Sequence, residues 1–390
     1  NFASIFTLGL IGDQKQRIYT DGKDNMLSII PKDWEKPVKK MNYRCAKRII
    51  QLANTIGKDI DIHAEQNPRE DANDGFVRLF VVQQHEGINK DEVEQTIMKI
   101  MSKDAEDEKW TGIDADIKIL TLEHMMAARR LGFDSFFAPF NKVSKYQMTF
   151  LQGAVPEIEF FTKIVLPIAE SMKGDGRVAL EILKEYSPLL SKQNTEKPYE
   201  LYLKCREKAV DVASMVNENK TIREIVKTIS DSQLINLPNV VDRASNLVSD
   251  DVKESDDEEL TAWVNTMDLP IEAIRNYDDY VNHRTRFDTH QGVKGLEFDR
   301  VLVIIDDSEA KGFMFSYDKL FGVKDLSDTD KKNRIDGKET SVERTQRLFY
   351  VTCTRAKNSL AVVMYTDNPQ EVKKESIRKG WFDDKEIIIM

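Results

Sequence analysis

Thr289-His290-Gln291-Gly292-Val293-Lys294-Gly295-Leu296-Glu297-Phe298 lies between two runs that read as strands, residues 286–289 and Arg300-Val301-Leu302-Val303-Ile304-Ile305. Gly292 and Gly295 permit close backbone approach, and the block reads as a strand-turn-helix-like transition. Further on, Gln346-Arg347-Leu348-Phe349-Tyr350-Val351-Thr352-Cys353-Thr354-Arg355-Ala356-Lys357 closes a helix expected over 341–354 and leads into a strand at 360–365.

The same alternation recurs nearer the start. Residues 44–56 carry Ile49, Ile50, Ala53 and Ile56 at helical spacing, and Val77-Arg78-Leu79-Phe80-Val81-Val82 reads as a strand. A helix is expected over 91–101, with Val93, Ile97, Ile100 and Met101 on one face, then a strand at 117–122 and a helix at 123–131. Such an order implies an α/β fold whose parallel sheet is covered on both faces. Between 142 and 282 the strand signals vanish, and amphipathic stretches at 156–172, 178–190, 199–217, 221–229 and 258–267 replace them. The expected layout is a sheet domain in two parts, 38–141 and 283–390, split by an all-helical insertion at 142–282. Residues 306–340 read as charged and irregular, with Phe313, Phe315, Tyr317 and Phe321 packing a loop. The tail after Pro369 reads as an exposed helix.

Two further blocks carry chemistry, Gly12-Asp13-Gln14-Lys15-Gln16-Arg17-Ile18-Tyr19 and Asn42-Tyr43-Arg44-Cys45. An amide such as that of Gln16 both donates and accepts, so it can bridge a phosphoryl oxygen and a water. Tyr43 offers a flat apolar face and Arg44 a permanently charged fork, while Asn42 suits a helix cap. Arg355 stands near a helix end. There an arginine either stabilises charge on a transferring phosphoryl group or caps the helix.

Read in order, the four blocks resemble motifs III, IV, V and VI of the UvrD/Rep-type superfamily 1 DNA helicases, and the resemblance covers nearly the whole chain. It implies a RecA-like (P-loop NTPase-type) second sheet domain, 2A, with an inserted helical 2B subdomain. Residues 1–25 would end the first RecA-like domain. It implies ATP hydrolysis with Mg2+, driving 3′-to-5′ movement on single-stranded DNA or at a single/double-strand junction. By the same resemblance Gln16, Arg44 and Arg355 are the catalytic groups facing phosphate. Tyr43 stacks on adenine, and Glu297 and Gly295 lie at the nucleotide. Tyr19, Thr289, His290, Gln291 and Lys294 lie on the DNA. Two positions depart from the family: Gln291 stands where many relatives have histidine, and Thr20-Asp21-Gly22 replaces an aromatic-Arg-Gly-Ala run that touches bases.

No Gly-x-x-x-x-Gly-Lys-Ser/Thr phosphate loop occurs, and no Asp-Glu metal-binding block precedes Gly12. An apolar run at 5–11 reads as a strand entering the first block. The chain is therefore expected to be the C-terminal part of a longer protein, inactive alone and without a metal site. The phosphate loop and magnesium ligands would come from a first RecA-like domain in cis, or from a partner chain in trans. Net charge is −10, which counts against a broadly basic surface but leaves room for one basic track, because much of the acidity clusters at 104–108 and 250–259. Cys45, Cys205 and Cys353 are too few and scattered for a disulfide framework or zinc site, and suit a reducing, cytoplasmic setting. No apolar run reaches the length of a membrane span. Two other readings fit the same letters: a degenerate helicase-like scaffold, and a subunit of a larger DNA-processing or defence complex with no ATPase of its own.

Overall fold

The computed structural model describes residues 8–19, 29–61, 65–190, 198–252, 257–312 and 314–390. The chain forms two compact units, 1–126 with 286–390, and 127–285.

The first unit is built on strands β3 (Phe76–Gln83), β4 (Lys118–Thr121), β5 (Phe287–Thr289), β6 (Phe298–Ile305), β7 (Ala356–Thr366) and β8 (Ile387–Ile389). They make one sheet in the order β5-β4-β6-β7-β3-β8, every pairing parallel. Parallel sheets need cover on both faces, and the side chains divide by the period of two. Leu79, Val81, Val301, Val303, Leu360 and Val362 point to a core shared with Ile49, Leu52, Leu348 and Phe349. Phe80, Val82, Leu302, Ile304, Ala361 and Val363 point to the other, shared with Ile97, Met101 and Trp110. A small parallel pair, β1 (Met41–Asn42) with β2 (Asn67–Pro68), stands beside the sheet.

Several sequence expectations shift. The block after β5 is strand-turn-strand and contains no helix: residues 290–295 form turns, and Gly295 takes φ +91°, where an L side chain is strained. The first helix spans Lys47–Gly57 and starts later than the periodicity suggests. Asn42 caps the bend ahead of it, its Oδ1 accepting from the backbone N–H of Arg44 at 2.9 Å and of Cys45 at 3.0 Å. Residues 8–13 form no strand, with Leu8, Leu10 and Ile11 exposed; the rest of the expected strand lies outside the described residues.

The stretch read as irregular holds helices Tyr317–Leu320 and Asp328–Ile335. Tyr317 and Phe321 are buried there, and Phe313 lies outside the described residues. The tail is more than an exposed helix. After Pro369–Arg378 it buries Trp381 and Phe382, then adds β8 to the edge of β3. Arg48 holds it by donating to the Trp381 carbonyl at 2.8 Å and to both oxygens of Glu386 at 2.7 Å.

The second unit is helical, and an isolated bridge between Thr221 and Pro270 is its one β contact among the described residues. The 156–172 stretch is interrupted by a π segment, Phe160–Val165. The core is aromatic: Phe150 stacks on Tyr277 with centroids 4.7 Å apart, and Phe140 meets Trp263 edge-on at 4.9 Å. Among the described residues no helix is long and apolar enough to cross a membrane.

Candidate functional site

The site lies in the first unit, where the helix Ser341–Cys353 ends against the start of β7. Thr340 and Glu343 form a capping box that starts this helix, so its far end, with Thr354 and Arg355, has a fixed place. The backbone then zips to its neighbours: Arg355 accepts at its carbonyl from Phe298 N–H at 2.9 Å, and Lys357 from Ala46 N–H at 2.7 Å. Three separate stretches of sequence, 44–46, 296–298 and 354–357, thereby meet.

Arg355 is 1% exposed, and its donors point at protein oxygens. Nε donates to the Val351 carbonyl at 2.9 Å, Nη1 to the Leu296 carbonyl at 3.0 Å and Nη2 to Thr354 Oγ1 at 3.1 Å. Arg44 comes in beside it, donating from Nη2 to the Thr354 carbonyl at 2.9 Å, with Nε 3.8 Å from Glu297. Burial, and then the nearby charge of Arg44, hold the Arg355 guanidinium down at about 10. It is still a cation at neutral pH. The two guanidinium groups converge on Thr354, Arg44 at its carbonyl and Arg355 at its hydroxyl. Glu297 is half exposed there, and the Tyr43 ring is 73% exposed, a large apolar face left in water.

The Gln16 segment lies along the same helix. Asp13 caps a short turn over Gln14–Gln16, and Gln16 donates from its amide to Asp13 Oδ2 at 2.9 Å. Lys15, unremarked in the sequence reading, is buried, with its ammonium 5.8 Å from the centre of the Tyr350 ring. Burial lowers its pKa, opposed by the charges of Asp13, Asp61 and Glu65.

A second group forms at the glycine turn. The Tyr19 hydroxyl donates to the Gln291 carbonyl at 3.4 Å, and the Lys294 ammonium stands 4.9 Å over the Tyr19 ring. Tyr19 and Lys294 are exposed. The turn is shaped from beneath: Thr289 Oγ1 accepts from Gly292 N–H at 3.0 Å, and a Cβ on Gly292 would meet Asp288 Oδ1 at 2.5 Å. His290 is fully buried, one ring nitrogen 3.2 Å from the Leu120 carbonyl and the other 3.1 Å from the Tyr317 hydroxyl. Its ring therefore faces the interior. Thr20-Asp21-Gly22 lie outside the described residues.

Arg44, Glu297 and Arg355 are thus brought together, as are Tyr19, Gln291 and Lys294. Thr289 and His290 are placed behind the turn. A Cβ on Gly295 would meet no neighbouring atom within 4 Å. Among the described residues no group of His, Cys, Asp and Glu is arranged to hold a metal ion. The three cysteines are free and buried.

Part of the chain, including Glu297 and Arg355 but not Arg44, is matched by a known family. The UvrD-like helicase C-terminal domain matches residues 139–367, more than half the chain, and the chain belongs to that family. It is also similar to the Gabija protein GajB of Bacillus cereus (strain HuB5-5), 22% identical over 408 aligned residues. That alignment takes in 94% of this chain and 55% of the relative, so the chain spans about half the relative's length.

Proposed function

We propose that this chain is the C-terminal portion of an ATP-dependent DNA helicase or translocase, moving 3′ to 5′ and supplying arginine fingers and part of the single-strand track. The observation that carries the reading is the meeting of Arg44 and Arg355 beside Glu297 at the end of the helix Ser341–Cys353. In this reading residues 38–141 and 283–390 are RecA-like domain 2A, residues 142–282 are the 2B-like insertion, and residues 1–25 close the first RecA-like domain.

ATP supplies the phosphoryl group, and Mg2+ supplies charge neutralisation. The phosphate loop and magnesium ligands come from the first RecA-like domain in cis, or from a partner chain in trans. This chain's residues do the rest. The exposed ring of Tyr43 covers the adenine. Arg44 and Arg355 stabilise charge on the transferring phosphoryl group, Arg355 exchanging a carbonyl partner for a phosphate oxygen as it does so. Gln16 orients the attacking water. Tyr19, Gln291 and Lys294 face the DNA strand, with Thr289 and His290 holding the turn behind them.

The inward setting of Arg355 favours one rival, a helicase-like scaffold or complex subunit in which this arginine only ties the fold together. Strand displacement separates the two, measured on the protein that joins this chain to its phosphate-loop domain. ATP-dependent unwinding of a 3′-tailed duplex, and not of a 5′-tailed one, is the expected result. No unwinding and no DNA-stimulated ATP turnover would favour the scaffold.

A further inference from the structure

Glu339, immediately ahead of the capped helix Ser341–Cys353, collects three arginines. Arg17 Nη2 lies 2.5 Å from its Oε1 and Arg344 Nε 3.3 Å from its Oε2, while Arg347 Nη2 also pairs with Oε1. The Glu339 backbone is held in turn, its carbonyl accepting from Asn333 Nδ2 at 3.2 Å. Arg344 and Arg347 belong to the helix that ends at Arg355. Arg17 belongs to the other segment, next to Gln16, and is 322 residues away from Glu339 in sequence. The side chains of Arg17 and Glu339 are only 21% and 22% exposed, so solvent screens the pair less than it screens a surface ion pair.

We infer that Glu339 is a positioning residue: its carboxylate clasps Arg17 against Arg344 and Arg347 and so fixes the Gln16 segment on the helix that carries Arg355. A carboxylate set among three guanidinium groups offsets their mutual repulsion. Neutralising Glu339 removes the carboxylate that ties Arg17 to Arg344 and Arg347, and the segment carrying Arg17 loses that tie to the helix. The contact of Lys15 with the Tyr350 ring, farther along the same helix, would loosen with it. The catalytic meaning of the clasp rests on the proposed function, since it would make Gln16 and Arg355 read one phosphate as a unit.

The test is amide hydrogen exchange over residues 14–19 in the chain without nucleotide, for wild type, Glu339→Gln, Glu339→Asp, Arg17→Gln and the double variant Arg17→Gln/Glu339→Gln. Glu339→Gln is expected to speed exchange there at least about tenfold, the scale of a lost charge-assisted hydrogen bond. Glu339→Asp should restore most of the protection. Arg17→Gln should match Glu339→Gln, and the double variant should add little to either. Exchange across β6 and β7 should stay at the wild-type rate, which separates release of the segment from general unfolding. Wild-type protection of 14–19 in Glu339→Gln, or fully additive effects in the double variant, would overturn the clasp. Because no nucleotide is present, that result is independent of the ATPase reading. Loss of protection with unchanged turnover in the joined protein would instead count against the role given to Gln16.

Discussion

Arg44 donates from Nη2 to the carbonyl of Thr354 at 2.9 Å, joining positions 310 residues apart and pinning the residue just ahead of Arg355. Arg44 therefore has two tasks, a charge near the nucleotide and a strut for the helix end. Arg44→Lys keeps the first and weakens the second, because an ammonium lacks the planar fork. Loss of this charged hydrogen bond should cost about 1.5–3 kcal/mol in urea denaturation. An unchanged midpoint would remove the strut from the account.

Tyr43 is 73% exposed, and its ring supports nothing in the core. Tyr43→Ala should leave folding stability within about 0.5 kcal/mol. In the joined protein the KM for ATP should rise roughly tenfold, as expected for a lost stacking face worth about 1–1.5 kcal/mol. Tyr43→Phe should behave as wild type. A fall in stability with no change in KM would make Tyr43 a structural residue.

Lys294 and Tyr19 present an exposed cation and ring on the glycine turn. If a single-strand phosphate passes there, Lys294→Gln should weaken binding of an oligothymidylate and lower the slope of log affinity against log salt by about 0.7. An unchanged slope would take Lys294 off the track.

His290 is buried between the Tyr317 hydroxyl and the Leu120 carbonyl, and burial brings its pKa down to about 4. The folded value is below the unfolded one, so the unfolded chain binds the extra proton. The stability contributed by neutral His290 is whole above about pH 6.5, is lost progressively as pH falls towards 4, and amounts to about 3 kcal/mol in all. His290→Phe removes this component. Thermal denaturation between pH 7 and 4.5 should show a shallower acid slope in the variant, and identical slopes would contradict the assignment.

Much of the sheet was legible because its strands need cover on two faces. Val301 to Ile305 form an unbroken apolar run, and no other element accounts for it. The edge strand Ile387–Ile389 was hidden because it follows a Lys- and Glu-rich helix and owes its place to β3 and Arg48. The turn at 290–295 looked helix-like by its spacing, but Gly295 at φ +91° belongs to a turn. Within the site, Arg44 and Arg355 stood out as motif residues. Lys15 and Glu339 did not, because each matters through a partner hundreds of residues away, Tyr350 for one and Arg17 for the other. Sequence spacing carries no record of such pairs.

Arg355 is the residue on which the account turns, and DNA-stimulated ATP turnover of Arg355→Ala in the joined protein tests it most directly, with ATP affinity and thermal stability measured alongside. The account predicts a loss of about 10³-fold or more in kcat, a small change in ATP affinity and no rescue by Arg355→Lys. Wild-type turnover in a folded Arg355→Ala protein would contradict it and leave this arginine a buried strut.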